Sequence, residues 1–531
     1  MNLNQTELPD GWLWAKIEQL GEIVTGSTPS KKNPAFFGES IPFYKPTDLD
    51  VGYEVIDARE YLSELGANQS RLLPALSVLV TCIGTIGKTG LARKSCATNQ
   101  QINAVILSEP YISPHWFFWI ISSPQGQRMI IENASATTIS IINKKRFSEL
   151  TLPVPPLNEQ RRIVAKIEAL KARSRRVKEE LEAIAPLLDQ FRQSVLAAAF
   201  RGDLTADWRE KNPDVETASE LLMRIQIKRK KQYEEESEKA NDSQSKKPIK
   251  PTIVSLDISS VQKNKSDDLP PTWVRVKLDA LLPVGGIFDG PFGSNLKTSD
   301  YTDSGIRVIR LENIGRLQFI EEKRAYISNE KYLLLKKHSV YAGDILFSSF
   351  ASDSVRVCIL PQLTTPAIAK ADCFCLRPDS DIIDRKYLVL QFSNQAFFEQ
   401  LQNFTHGATR LRVNTTQLKQ SEIYLCSLAE QQEIIHRVET FFKVADCIKQ
   451  QYQEAQAYLD KLDQSILAKA FRGELVPQDP NDEPASVLLE RIRAEREKLD
   501  TNKKAKGKTE NKSRKAKPEP EPKQLSFPGF E

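Results

Sequence analysis

The strongest pattern in the chain is a set of ten positions spaced alternately by four and three residues: Ile163, Ile167, Leu170, Ser174, Val177, Leu181, Ile184, Leu188, Phe191 and Val195. Adding 271 to each number gives Ile434, Val438, Phe441, Ala445, Ile448, Tyr452, Ala455, Leu459, Leu462 and Ile466, in the same register. Only Ser174 is polar. A repeat of this period predicts the seam of a coiled coil, not the wider stripe of a globular surface helix. Pro186 lies inside the first copy, removes one backbone donor and is expected to kink that helix. Two seams of matching length in one chain are expected to cover each other, and antiparallel packing would carry the globular part before each helix to opposite ends of a rod. From Ile163 to Val195 the rod would measure about 50 Å at ~1.5 Å per residue. The competing arrangement packs each helix on its own globular part.

The 271-residue offset extends beyond the helices. Leu157-Asn-Glu-Gln160 returns as Leu428-Ala-Glu-Gln431, and the segment from Ser194 through Phe200-Arg-Gly202 to Leu204 returns as Ser465 through Phe471-Arg-Gly473 to Leu475. Ala218-Ser219 returns as Ala485-Ser486, and Leu8-Pro9-x-x-Trp12 as Leu269-Pro270-x-x-Trp273, at slightly shorter offsets. The chain is therefore a tandem duplication. In each copy the first part reads as mixed α/β, with β-rich runs such as Ser77–Ile83, Ile306–Leu311 and Asp344–Ser349 bounded by turn residues. The second part reads as helix. The two first parts share little beyond their edges, so a repeated frame holds two divergent inserts. The expected plan is α+β: two α/β domains over 1–156 and 269–427, helical regions over 157–236 and 428–499 forming an antiparallel two-helix coiled-coil spacer, a flexible linker over 237–268 and a disordered basic tail over 500–531. The apolar island Leu525–Phe530 at the end of that tail is a candidate docking peptide.

Length fits this plan: 531 residues suit several domains, and 40% apolar with 27% charged residues is ordinary globular material. No apolar run approaches the ~20 residues of a membrane span. The N-terminal MNLNQTELPD lacks a secretory signal pattern, and seven scattered cysteines suit reduced thiols, so a cytoplasmic protein is expected. Lys+Arg 74 against Asp+Glu 69 gives +5. Nine Lys/Arg and four Glu within 501–531 account for all of it, so residues 1–500 are neutral. Any polyanion must be held by local basic loops.

No catalytic or metal site is expected. Gly84-Thr-Ile-Gly-Lys-Thr89 looks like a phosphate loop, but Cys82 stands where Walker A needs glycine, and a poor helix former follows. Pro378-Asp379 with Asp384-Arg-Lys386 mimics a nuclease motif, but the short gap leaves no room for a turn that would bring the carboxylates together. A solvated loop leading into a helix over Tyr387–Phe398 is the better reading. The histidines are far apart, and Cys373-x-Cys375 has no second pair.

A globular part, then LNEQRRIVAKIEAL, then a long helix ending in SVLAAAFRGDL, all duplicated with LAEQQEIIHRVE and SILAKAFRGEL, resembles the specificity subunit of Type I restriction–modification enzymes. Val80–Gly87 and Gly290–Lys297 also look like family segments. The resemblance implies two target recognition domains, each reading one half of a bipartite site on double-stranded DNA. It also implies helices that dock two methyltransferase (modification) subunits, with two motor–nuclease (restriction) subunits completing the complex. S-adenosylmethionine, ATP and Mg would then belong to those partners, with no cofactor on this chain. A ~50 Å rod would match about 15 base pairs at ~3.4 Å per pair. The alternatives are a coiled-coil interaction scaffold without DNA specificity, a specificity module of a methyltransferase-only system, and a fused enzyme with an unrecognised site.

Bases are read by side-chain donors and acceptors while Lys and Arg hold phosphates. The candidate DNA contacts in the first insert are Lys31, Lys32, Lys45, Lys88, Asn99, Gln100 and Gln101, followed by Asn143, Lys144 and Lys145. The second insert offers Ser294, Asn295, Lys297, Arg310, Asn313, Arg356, Arg410, Arg412 and Asn414. Asn143 and Asn414 share the 271 offset, which suits a place in the frame. The candidate partner-docking residues are Glu159, Gln160, Arg201, Gly202, Arg472 and Gly473; for Phe200-Arg-Gly202 and its repeat the plainer reading is a helix stop.

Overall fold

A computed structural model describes residues 7–136, 139–242, 269–351, 353–404 and 411–498. Most of the expected linker, the expected tail with its apolar island, and Arg410 lie outside the described residues. The chain divides into two compact units, and neither is one copy of the repeat: the first joins residues 1–182 to 454–531, the second spans 183–453.

In the first unit, five strands lie in the order Gly21–Thr25, Ile102–Leu107, Val78–Thr81, Thr89–Ala92, Glu54–Val55. All neighbours are antiparallel except the last pair. The central strands show no polar alternation because both faces are covered. Val78, Val80 and Val105 face the buried helix Pro114–Ser122, whereas Leu79, Ile102 and Ala104 face a smaller cluster around Tyr44 and Leu49. A separate two-stranded ribbon, Leu13–Lys16 against Thr151–Val154, closes the globular part at its two ends in sequence.

The second unit repeats this logic with different residues. A four-stranded sheet runs Ile287–Phe288, Cys373–Leu376, Ile345–Ser348, Val357–Ile359. Phe347, Phe374 and Leu376 face the main core, while Leu346, Cys358, Cys373 and Cys375 face a second cluster, so the C-x-C spacing marks one face of a strand. A five-stranded sheet including Ile306–Ile309 and Ala367–Ala369 lies beside it in the chain order, and the ribbon Val274–Lys277 with Glu422–Leu425 matches that of the first unit. The expected helix over 387–398 is two, Arg385–Phe392 and Gln395–Asn403, because Asn394 caps the second.

The long helices are α1 (Leu157–Glu182), α2 (Ile184–Arg201), α3 (Ala218–Asp242) and α4 (Leu428–Ala470). Pro186 has the expected effect: the carbonyl it would have to bond is that of Glu182, where α1 stops, whereas α4 has no proline and runs unbroken for 43 residues. α3 continues through Asp242, so the helix reaches further than the expected linker boundary at 237.

Within the first unit, Lys171 Nζ meets Asp463 at 3.5 Å and Lys178 Nζ meets Asp460 at 2.7 Å, so α1 and α4 run in opposite directions. Within the second unit α2 lies along α4, with Arg192 on Asp446 at 2.6 Å and Phe191 edge-on to Phe441. The start of each long helix packs on its own globular part through Ile163 and Ile167 or Ile434 and Val438. Its end does not. Val195, Leu196, Ala199, Phe200, Ala218, Leu221 and Ile225 join the core of the second unit; Ile466, Leu467, Ala470, Phe471, Ala485 and Ile492 join that of the first. Each α/β part is thus completed by the helix end of the other copy.

This exchange explains the repeated motifs. Gly202 and Gly473 end their helices at φ +86° and +74°. A Cβ on Gly202 would stand 2.3 Å from Cγ of Pro270, and one on Gly473 2.3 Å from Cγ of Pro9. Phe-Arg-Gly and Leu-Pro-x-x-Trp are therefore two halves of one contact, made twice. Ala218 N donates to Thr272 O at 3.0 Å and Ala485 N to Gly11 O at 2.9 Å, the same bond in both units.

Candidate nucleic-acid interface

Four loops gather at one end of the main sheet in each unit. In the first unit they are 26–36, 82–88, 98–101 and the described residues 133–136 and 139–143. Ser27 N donates to Thr98 O (2.9 Å), Thr28 Oγ1 to Gln100 Oε1 (2.8 Å), Cys82 N to Gln101 O (2.7 Å), and Gly84 N to Ser140 O (3.0 Å). Gly84 and Gly87 take φ +82° and +90° in the tight link between antiparallel strands Val78–Thr81 and Thr89–Ala92. A strand follows instead of a helix, so the segment builds no phosphate loop.

The second unit gathers loops 289–300, the described residues 349–351 and 353–356, 370–372 and 412–414. Ser349 N donates to Asp372 O (2.9 Å), Val413 N to Ser349 O (2.9 Å), and Arg412 Nη2 to Asp372 Oδ1 (2.7 Å). The two ends correspond residue by residue. Ile142 N donates to Cys82 O as Val413 N does to Ser349 O, and Gln101 takes the place of Asp372. Gly26 and Gly290 coincide too: a Cβ on either would lie within about 2.2 Å of backbone, Asn99 O or the Lys370 carbonyl carbon.

Most of the sequence candidates fall on these loops, but their surroundings differ. Lys31, Lys32, Gln100, Lys144, Lys145, Asn295 and Lys297 are exposed, and Gln101 is half-buried. The backbone N–H of Lys297 donates to Asp300 at 2.7 Å. Lys88 is tied to Asp50, Lys45 to Glu60 and Arg310 to Glu312. Arg356 lies along its loop, donating to Leu311 O and Ser348 Oγ. Ser294 sits in the turn Gly293–Asn295, and its side chain lies outside the described residues.

Four candidates serve the chain's own loops and helix caps, two of them buried and two exposed. Asn313 is fully buried and donates to Ile320 O and Lys323 O at 2.9 Å, so it braces its own loop. Asn99 is nearly buried and bonds Gln101. Asn143 and Asn414 cap the short helices Lys144–Ser148 and Thr415–Gln420, each accepting a backbone N–H at 2.8 Å. Their shared offset reflects this frame role.

The docking candidates divide likewise. Arg201 and Arg472 are exposed, paired with Asp203 and Glu474. Glu159 and Gln160 are buried, which corrects their expected place on a docking surface. Glu159 accepts from Trp12 Nε1 (2.9 Å) and Gln478 Nε2 (3.2 Å), and Gln160 bridges Ser113 N and Pro155 O. Their repeats do the same: Glu430 accepts from Trp273 Nε1 (2.8 Å), and Gln431 bridges Asp384 N and Cys426 O. Burial pushes the Glu159 carboxyl up, partly offset by the indole N–H. The repeated Glu-Gln pins each helix to its globular part.

Sequence reasoning passed over Asp289 and Asp372. Asp289 is half-buried, and burial pushes its carboxyl up to about 6. The nuclease-like carboxylates are structural: Asp379 pairs with Arg229, and Asp384 caps the helix Arg385–Phe392. Among the described residues no group of three His, Cys, Asp or Glu could hold a metal, and no helix is long and apolar enough to cross a membrane.

Residues 9–184 and 272–457 match the family described as "Type I restriction modification DNA specificity domain". The chain is 28% identical over 496 residues to the Type I restriction enzyme EcoBI specificity subunit of Escherichia coli, covering 92% of this chain and 93% of that one. It is 24% identical over 505 residues to the EcoDI specificity subunit of the same species, covering 92% and 96%. A solved chain from work on complex assembly and conformational transition of the type I R-M system superposes with a TM-score of 0.58 at 19% identity, covering 88% of this chain and all of that one. That likeness is one of fold.

Proposed function

The chain belongs to the Type I restriction modification DNA specificity family, and on that premise we propose that it is the sequence-reading, non-catalytic subunit of a Type I restriction–modification complex. In this reading residues 1–156 and 269–427 carry two target recognition surfaces, each reading one half of a bipartite duplex site. The paired helices α1, α2 and α4 form an antiparallel coiled-coil spacer and, with Arg201 and Arg472, offer surface to two modification subunits. Two restriction subunits complete the complex, and S-adenosylmethionine, ATP and Mg belong to those partners.

One observation carries the reading: the same four-loop end occurs twice on a matched frame, with different side chains each time. A reader must vary where it touches bases and stay fixed where it is held. In this reading Lys31, Lys32, Lys144, Lys145 and Lys297 hold phosphates, and Gln100, Gln101, Asn295 and Arg412 meet base edges.

Binding of a randomised duplex pool by the chain, alone and with its modification subunits, tests this. The assembled complex is expected to enrich one motif of two short defined blocks around an undefined gap. An unbiased bound pool in the presence of the partner would overturn the reading in favour of a scaffold.

A further inference from the structure

The loop end of the second unit borders an open cleft of about 430 Å³ lined by Asp289, Phe292, Asp372, Phe374, Arg412 and Asn414, among others. Carboxylates are costly on a surface that faces phosphates, unless a donor on the ligand takes them up. Oδ1 of Asp372 accepts from Nε and Nη2 of Arg412, at 3.0 and 2.7 Å, and from Ser349 Oγ at 2.9 Å. Oδ2 takes no side-chain donor among the described residues. Asp289 has no ion-pair partner among them; its Oδ1 accepts the Gly290 N–H at 2.7 Å. Arg412 is about half exposed and stacks over Phe350.

The first unit supplies the contrast. Strand register and the coincident glycines put Thr25, Gln101 and Ile141 where the second unit has Asp289, Asp372 and Arg412. The fold therefore does not require these charges. One unit presents neutral groups at the site, the other two carboxylates and a guanidinium.

On duplex DNA the donors that a carboxylate can accept from are exocyclic amino groups. Adenine N6 sits beside the N7 acceptor, which repels a carboxylate; cytosine N4 sits beside a C–H, and its paired guanine offers O6 and N7 to a guanidinium. We propose, resting on the DNA-reading role above, that Asp289, Asp372 and Arg412 form a specificity pocket of the second unit that reads one C·G base pair. A carboxylate accepts from cytosine N4, and Arg412, aimed by Asp372, donates to the guanine edge.

The test is selection from a randomised duplex pool by the complex of full-length chain and modification subunits, comparing the unaltered chain with Asp372→Asn and Asp289→Asn. Asp289→Asn leaves the Arg412–Asp372 bond in place, so it serves if the first variant misfolds. The unaltered complex should select a two-block motif. In the variants the preference for one C·G pair in one block should fall at least tenfold while the other block stays unchanged, which also reports an intact complex. An identical motif from both variants overturns this proposal and leaves the DNA-reading role standing. No motif from the unaltered complex overturns both.

Discussion

Single buried carboxylates set the frame. Glu430 holds Trp273, Thr205 and Arg209 at 2.8, 2.8 and 2.6 Å, whereas among the described residues Glu159 holds only Trp12 and Gln478. Removing Glu430 strands a partly buried guanidinium, so Glu430→Ala is expected to cost about 3–5 kcal/mol. Glu159→Ala should cost about 1–3 kcal/mol. Chemical denaturation that ranked them in the opposite order would refute this assignment. Asp289 gives a pH prediction. Its folded pKa of about 6 lies above the ordinary 3.8, because burial, with charge repulsion from Asp372, outweighs the backbone N–H groups of Gly290 and Asp372 and nearby Arg412. The folded state therefore binds more protons than the unfolded state between those values, and stability falls as pH rises through that window. Asp289→Asn should raise the melting temperature at pH 8 and leave it almost unchanged at pH 4; an equal rise at both would exclude a buried charge as the cause. None of this was legible in the sequence. A glutamate in the first turn of a helix ordinarily faces water, and only its repetition with tryptophan in both copies hinted at an internal pair.

At the scale of elements, the helices were the readable part. A period near 3.5 held over ten positions reads as a long helix, and Pro186 located the break. What the sequence concealed was the exchange of helix ends between copies. A repeat tells which motifs recur, not which copy each one touches. Phe-Arg-Gly read as a helix stop, which it is, but the reason for glycine is double. Gly202→Ala and Gly473→Ala meet both a left-handed backbone and a proline ring. Gly285, at φ +75° in the turn closed by Gly286 N to Pro283 O and with nothing near its Cβ, meets only the first. The Gly285→Ala change should cost about 1 kcal/mol, and each of the other two clearly more. Equal losses in thermal unfolding would show that the proline contact does not constrain the turn. Strand positions were legible to within a residue or two, since Val78–Thr81 and Ile345–Ser348 fall inside the expected runs.

At the scale of the molecule, the charge balance shapes how the chain can meet DNA. Residues 1–500 are neutral, and Lys45, Lys88 and Arg310 are already paired with carboxylates. Binding by the chain alone should therefore be weak and fall steeply between 50 and 200 mM salt, about 0.9 decade per decade of salt for each phosphate neutralised. Tight binding that survives high salt would contradict a partner-completed clamp. The central claim is that two reading surfaces on one chain set one DNA sequence. It is tested most directly by mapping methylated bases across the genome of a cell that makes the chain with its modification subunits, beside the same cell carrying Gln100→Ala and Gln101→Ala together. The account expects one interrupted two-block motif in the first, and in the second a change confined to one block. Methylation with no interrupted motif, or a change spread equally over both blocks, would contradict it.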